Sequence, residues 1–389
     1  MQTNKKILFV IDQISTGGAE KILLDFKNFL LYKDYDVQIF CLYGCDEKSK
    51  HLNIEYGLKA NSKSILGKIF QQIILFFKLQ IYIFSVKPDC IFSFLERSNI
   101  LVQLLFYRCR KILTVHNLLS IQYKKINNDF VRNTTLSFIR YFYNKERTRI
   151  IAVSSQVKDD LVYNLKIQEG NIVVVNNGVD KKYIREKSLE DITEFQFNDK
   201  SIYLLNIGRF TLQKSQNKLI KLISLLRKNG HDVHLILIGE GELKNEIRKL
   251  IYDLNLCSYV YILPYTNNPY KFMRIASALV LSSLYEGFPI VLSEAASLGI
   301  PVIGSDKAIP VEIFNNKKDW EKYTYKNTTV KMDFSTKISD DDICLFHLVD
   351  NFLKNEESSK EWNMSVEYWN SRNSKEDQFN SYLDLINEC

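Results

Sequence analysis

The sequence predicts an α/β protein built from two doubly wound units. Three observations carry this. At 389 residues the chain exceeds one ordinary domain and suits two. Short apolar runs alternate with helix-periodic stretches, the pattern of a parallel sheet covered on both faces. The alternation breaks in a polar stretch over 183–200 and then restarts.

The elements follow in order. Residues 7–11 form a buried strand, 16–18 a turn, 19–31 a helix and 36–40 a second strand. Further strands are expected at 90–92, 112–115, 150–153 and 172–175. The second unit has strands at 202–207, 233–238, 260–263, 278–281 and 301–303. Apolar residues at 379, 382, 383, 385 and 386 mark a final amphipathic helix. The expected division is 1–185, 186–373 and a terminal helix 374–389.

The stretch from Ser283 to Ile303 is the most informative. A strand ends, a Gly287-Phe288-Pro289 turn follows, then a short helix stopped by Gly299, then another strand. Pro289 suits a first helical turn, and Gly299 suits the left-handed residue just past the end. Backbone N–H groups from Gly287 to Val291, Phe288 and Ile290 included, are thus expected to face the open end of a sheet, a phosphate-binding arrangement. Glu286 lies before that helix and Glu294 inside it, seven residues between them. Carboxylates beside a bound phosphate are unfavourable unless they hold something else, and sugar or ribose hydroxyls are the obvious candidates.

Tyr-Glu-Gly-Phe-Pro followed by Glu-Ala-Ala-Ser-Leu-Gly-Ile-Pro-Val-Ile resembles the signature of the retaining nucleotide-sugar glycosyltransferases of family 4, which have the GT-B fold. The resemblance implies two Rossmann-like domains facing a central cleft, with the last helix crossing back to the first domain. Gly208-Arg209, four residues, then Lys214 is similar to the loop that grips the donor diphosphate in that family. Arg forks onto phosphate oxygens and Lys acts as a point charge. Without the Glu286–Glu294 block the same residues would read as a solvated basic loop. Ser215 stands where the family usually has Gly. Gly17 and Gly18, in Gly-Gly-Ala-Glu-Lys, resemble the family's first loop over the diphosphate, although a plain turn fits as well. His116 ends a strand where the family places a His near the donor sugar; a structural His fits equally. The Asn176–Asp180 turn and the Ile238–Leu243 turn match the family with no assigned chemistry beyond the bend. Pro264 and Tyr265 sit where the family's backbone meets the base. The match runs over about residues 5–310 and departs after Asp306.

Other classes are disfavoured. The dinucleotide pattern Gly-x-Gly-x-x-Gly is absent. Asp340-Asp341-Asp342 reads as the acidic first turn of a helix, so no metal is expected, and no cofactor beyond the nucleotide sugar as co-substrate. Seven scattered cysteines form no metal quartet or Cys-x-x-Cys pair and suit a reducing compartment. The N-terminus runs into a core strand, and no signal peptide is expected. Residues 1–190 hold 29 Lys and Arg against 18 Asp and Glu, a balance of +11, while the remainder is −4. Leu66 to Phe84 is apolar but punctuated by Lys and Gln, so it reads as a buried or an interfacial helix and not a membrane span. A basic-aromatic run over 124–149 adds to this half; no nucleic-acid motif accompanies it, and no nucleic-acid partner is expected.

The expected activity is transfer of a hexose or N-acetylhexosamine from a nucleotide sugar, UDP-linked before GDP-linked, to a glycan acceptor. The resemblance implies a lipid-linked acceptor on the cytoplasmic membrane face, in bacterial surface-polysaccharide assembly; the +11 balance and the apolar and basic-aromatic stretches of the first half suggest a protein peripheral on an anionic membrane surface. A nucleotide-sugar epimerase or hydrolase of similar fold, and a non-catalytic membrane-associated scaffold, are the alternatives. An epimerase or hydrolase would act without an acceptor.

Overall fold

The computed structural model describes residues 5–14, 17–44, 54–59, 64–124, 126, 128–328 and 333–388. Thr16 of the first turn, Lys63, Lys125, Cys45 and Cys389 lie outside them. The chain forms two compact units, Met1–Asn176 with Gln378–Cys389, and Asn177–Asp377.

The first unit is a seven-stranded sheet, all parallel. Its strands are β1 (Lys6–Ile11), β2 (Asp36–Tyr43), β3 (Ile54–Leu58), β4 (Cys90–Phe94), β5 (Arg110–Val115), β6 (Thr148–Ala152) and β7 (Ile172–Val174), in the order β3-β2-β1-β4-β5-β6-β7. Central strands are buried on both faces and therefore read as unbroken apolar runs. Ile7 through Ile11 are each 0% exposed. The edge strand β3 was not expected: Ile-Glu-Tyr-Gly-Leu carries a mixed pattern because an edge strand is only partly covered. The order reverses between β1 and β4, so the crevice beyond their C-terminal ends is a topological switch point.

The helix Lys375–Asn387 delivers Phe379 and Tyr382 to this unit's core. Both rings lie 5.1–5.2 Å from Phe26, which itself packs on Phe9 and Phe92. Lys5 Nζ and Arg110 Nη2 donate to the carbonyls of Ile386 (3.2 Å) and Glu388 (2.9 Å). Late carbonyls of a helix have no partners within it, and cations suit that end.

The helix Ile65–Val86 is only partly buried. Leu75, Leu79 and Ile83 are 0% exposed, whereas Phe70, Ile73, Phe77, Ile81 and Phe84 are each more than half exposed. Among the described residues no helix is long and apolar enough to cross a membrane.

The second unit has six parallel strands: β8 (Ile202–Ile207), β9 (Val233–Ile238), β10 (Val260–Leu263), β11 (Ala278–Leu281), β12 (Val302–Ser305) and β13 (Thr324–Tyr325). Their order is β10-β9-β8-β11-β12-β13, with the switch point between β8 and β11. The segment Lys181–Ser188 is helical, capped by Asp180, and its last carbonyls accept from Asn268 and Arg274 of the same unit. The two-residue β13 was too short to read from sequence. The acidic run opens the helix Asp340–Lys354, where Ser339 and Asp342 form a capping box. Asp341 also accepts from the buried Lys218 Nζ at 3.1 Å.

Candidate functional site

The loops leaving β8, β9 and β11 meet at the switch point of the second sheet. Glycines allow the close approach: a Cβ at Gly239 would collide with the Gly208 carbonyl, and one at Gly241 with the Phe210 backbone. Phe210 N donates to Glu240 O at 2.9 Å, and Leu243 N to Phe210 O at 3.1 Å. From the other side Leu284 N donates to Gln213 O (2.8 Å) and Gln213 Nε2 to Tyr285 O (3.0 Å). Ser282 Oγ donates to the carbonyls of Lys214 and Ser215, both at 3.0 Å. The Arg209–Lys214 loop is thereby fixed before any ligand arrives.

Lys214 Nζ and Glu286 Oε1 lie 2.6 Å apart, a charge-assisted hydrogen bond with Glu286 only 7% exposed. Arg209 is exposed, and its carbonyl accepts from Gln216 Nε2 at 3.1 Å. The guanidinium therefore sits at the rim while the backbone is held. Ser215 adopts φ 52° and ψ 42°, the left-handed conformation that glycine takes at less cost.

The helix Ile290–Ser297 follows Pro289, which takes the cap position one residue ahead of the first helical turn. Gly299 adopts φ 71°, as a helix-ending glycine does. First-turn amides have no partner within the helix, so this end suits an anion. Gly287, Phe288 and Pro289 are buried, and Ile290 and Val291 are half-buried. Asn177 braces this start: its Nδ2 donates to Phe288 O at 2.8 Å, and its carbonyl accepts from Ser293 Oγ at 3.1 Å. Phe288 also stacks on Trp369, centroids 5.3 Å apart. The Asn177-Gly178 bend thus does more than turn the chain. Glu294 is 4% exposed and accepts from Tyr270 Oη at 2.9 Å. Sequence reasoning missed Tyr270, since nothing in Asn268-Pro269-Tyr270 marks a ring that reaches a carboxylate 24 residues on. Pro264 and Tyr265 are exposed just beyond β10.

The remaining candidates lie in the first unit. Gly17 precedes the helix Gly18–Tyr32, where a Cβ would collide with the Glu20 carboxylate folded beneath it. His116 follows β5, stacks on Phe94 with centroids 6.2 Å apart, and places Nε2 2.9 Å from Thr114 Oγ1. Thr114 Oγ1 donates to Ser93 O at 3.0 Å. Its hydroxyl hydrogen is therefore committed, and we assign the proton to His116 Nε2, which leaves Nδ1 as an acceptor. Burial holds this imidazole down at about 4, so it is neutral at pH 7. Among the described residues no group of three or more His, Cys, Asp or Glu is placed to hold a metal ion.

Comparison with known proteins agrees with this geometry. The family Glycosyltransferase Family 4 matches residues 16–183, and Glycosyl transferases group 1 matches 187–340. An uncharacterised glycosyltransferase of Methanocaldococcus jannaschii is 36% identical over 45% of this chain; the chain spans less than half, 43%, of that relative. The N-acetylgalactosamine-N,N'-diacetylbacillosaminyl-diphospho-undecaprenol 4-alpha-N-acetylgalactosaminyltransferase of Campylobacter jejuni is 28% identical, covering 78% of this chain and 81% of that protein. Among solved structures, Anabaena HepE in complex with UDP superposes with a TM-score of 0.74 at 15% identity, over 99% of this chain and 100% of that one. Sucrose-phosphate synthase from Thermosynechococcus elongatus does so with a TM-score of 0.77 at 15% identity, over 99% and 98%. The chain belongs to the family-4 glycosyltransferases and has their GT-B fold.

Proposed function

We propose that this protein transfers a hexose or N-acetylhexosamine from a UDP-sugar to a lipid-linked glycan acceptor, with retention of anomeric configuration, in surface-polysaccharide assembly. The observation that carries the reading is that both glutamates of the segment leaving β11 are paired, Glu286 with Lys214 and Glu294 with Tyr270. The Campylobacter relative's undecaprenyl-linked acceptor and the UDP bound to HepE support the acceptor and donor classes.

In this reading Arg209, Lys214 and the helix-start amides hold the diphosphate and stabilise the charge that develops as it leaves. Glu294, oriented by Tyr270, accepts the ribose hydroxyls. Glu286 holds the sugar and keeps Lys214 in place until the phosphate competes for it. The acceptor oxygen bonds to the anomeric carbon on the face the phosphate departs from. The bond from that carbon to the phosphate oxygen breaks, and the acceptor proton passes to the leaving phosphate. His116 is neutral near pH 7 and does not act as an acid. Cationic side chains supply what a metal would, so we propose a metal-independent enzyme.

A thermal-shift screen of nucleotide sugars, followed by product analysis with the best donor, tests this. Stabilisation by UDP-sugars and a glycosylated product of retained configuration are expected, undiminished by excess EDTA. Stabilisation by no nucleotide sugar would sink the reading. Activity lost in EDTA and restored by Mn²⁺ or Mg²⁺ would remove the metal-independent part.

A further inference from the structure

The first sheet carries a second polar constellation. Asp12 follows β1 and Glu96 follows β4, adjacent strands whose register pairs Ile11 with Phe94, so both carboxyls leave the sheet's C-terminal edge at its switch point. Asp12 Oδ1 accepts from Ser98 N (3.1 Å) and Ser98 Oγ (2.7 Å), and Oδ2 lies 3.8 Å from Arg97 Nε. Glu96 opens the helix Glu96–Leu104, is 7% exposed, and its Oε1 has no hydrogen-bond partner. Leu95, which sets its direction, holds φ 72°, a conformation that costs a branched residue energy. A buried acid oxygen left unpartnered, at the end of a strained turn, in the crevice where doubly wound sheets bind ligands, points to a missing hydrogen-bonding group.

We propose that Asp12 and Glu96 form a hydroxyl-binding pair for a neutral sugar of the acceptor, Asp12 accepting and Glu96 donating. The inference rests on the acceptor-glycan reading above and assigns it residues in the first unit. Charge supports it. Burial, with Asp12 as a like-charged neighbour, pushes the Glu96 carboxyl up to about 7, and burial raises Asp12 as well. Glu96 thus keeps a proton to donate near neutral pH. Arg97 offsets part of the rise at Asp12, and Glu20, in the first turn of the helix Gly18–Tyr32, adds to it. Of the other titratable groups, the neutral phenols of Tyr123 and Tyr143, both pushed up, interact with Glu96, and neutral His116 stacks on Phe94 two residues before it. No cation in this set would hold Glu96 ionised except Arg97, whose guanidinium faces Asp12.

The probes are methyl N-acetyl-α-galactosaminide and methyl α-glucoside, followed by saturation-transfer NMR on the full chain with UDP present. Signal is expected for at least one, falling more than fivefold in Glu96→Ala and Asp12→Asn while calorimetric UDP affinity stays within twofold. In the wild type it should decline between pH 6 and 8 as Glu96 ionises; in Glu96→Gln, which keeps a donor and cannot ionise, it should persist and stay flat. If Glu96→Ala fails to fold, Glu96→Gln decides. Absence of signal in the wild type, or the same pH decline in Glu96→Gln, overturns the pair. Lost UDP affinity in wild type would instead overturn the donor reading, which this inference can outlive only if sugar binding remains.

Discussion

At the scale of single residues, the site is a set of pre-formed partnerships, and each makes a different kinetic demand. Lys214 already pairs with Glu286 at 2.6 Å, so the two side chains act as a unit. Arg209→Ala and Lys214→Ala should each remove about 2–4 kcal/mol of transition-state stabilisation, the scale for one preorganised donor of charge. Glu286→Gln should mainly lower kcat, and with Lys214→Ala it should be less than additive, because each variant also unpairs the other residue. Near-normal turnover in both cation variants contradicts the diphosphate grip. Glu294 is bound by Tyr270, a contact present in ground and transition states alike. Glu294→Gln and Tyr270→Phe should therefore raise the donor KM and weaken UDP in calorimetry with kcat little changed. Loss of UDP affinity in Glu286→Gln alone would reverse the two roles. His116 makes a pH statement. Its folded-state pKa, about 4, lies below the unfolded value of about 6.5, so the unfolded chain binds the extra proton between them. The contribution is intact above pH 6.5 and is lost as pH falls toward 4. His116→Gln should flatten that part of the stability profile in urea titrations at successive pH values.

At the scale of elements, Ser215 joins the Arg209–Lys214 loop to the helix Gln216–Lys228 in a left-handed conformation. Ser215→Gly should relieve strain of order 1 kcal/mol, less what is lost with its hydrogen bond to Asn217. Ser215→Val should cost about 1–3 kcal/mol, because a β-branched residue tolerates positive φ poorly. Chemical denaturation of the two variants checks the order, and a Val variant as stable as the Gly variant contradicts the strain. This position shows what the sequence made legible. The departure from Gly was visible, but its backbone consequence was not, since φ is set by loops tethered through Ser282 and Gln213. The central strands were readable because burial on both faces leaves apolar runs. β3 and β13 were not, being at edges and short or mixed. Glu286, Glu294, Arg209 and Lys214 were legible through spacing after strands. Tyr270, Asn177, Asp12 and Glu96 carry no spacing signal, because partners 24 to 111 residues apart meet only through the fold. The run Asp340–Asp342 was legible as a helix start. The burial of Asp341 against Lys218 and of Asp342 against Lys221 was not, although two lysines three apart on an apolar helix are costly unless paired.

At the scale of the molecule, basic charge and a run of exposed apolar residues both fall in the N-terminal half of the chain. Residues 1–190 carry the +11 balance. On the helix Ile65–Val86 the exposed residues Phe70, Ile73, Phe77, Ile81 and Phe84 recur at intervals of three and four, one helical face, and Phe106 is 79% exposed beside Phe76 at 5.9 Å. Single exposed apolar residues need no explanation, but a continuous apolar stripe marks an interaction surface. The helix Asp129–Tyr143 adds exposed Phe130 and Tyr141 with Arg132 and Arg140 on the same short segment. We propose that these faces attach the protein to an anionic membrane. Each basic residue near such a surface contributes about 1 kcal/mol, and salt screens it over roughly 8–10 Å, whereas apolar burial is insensitive to salt. Liposome co-sedimentation should therefore show stronger binding to anionic than to neutral vesicles, with a residue of binding at high salt. Charge reversal at Lys124 and Arg132 should remove the salt-sensitive part, and Phe77→Glu with Ile81→Glu the salt-resistant part. Equal binding to neutral vesicles would leave insertion of the stripe as the whole of the attachment. Binding to neither would return both faces to solvent and leave the acceptor's lipid to be presented some other way.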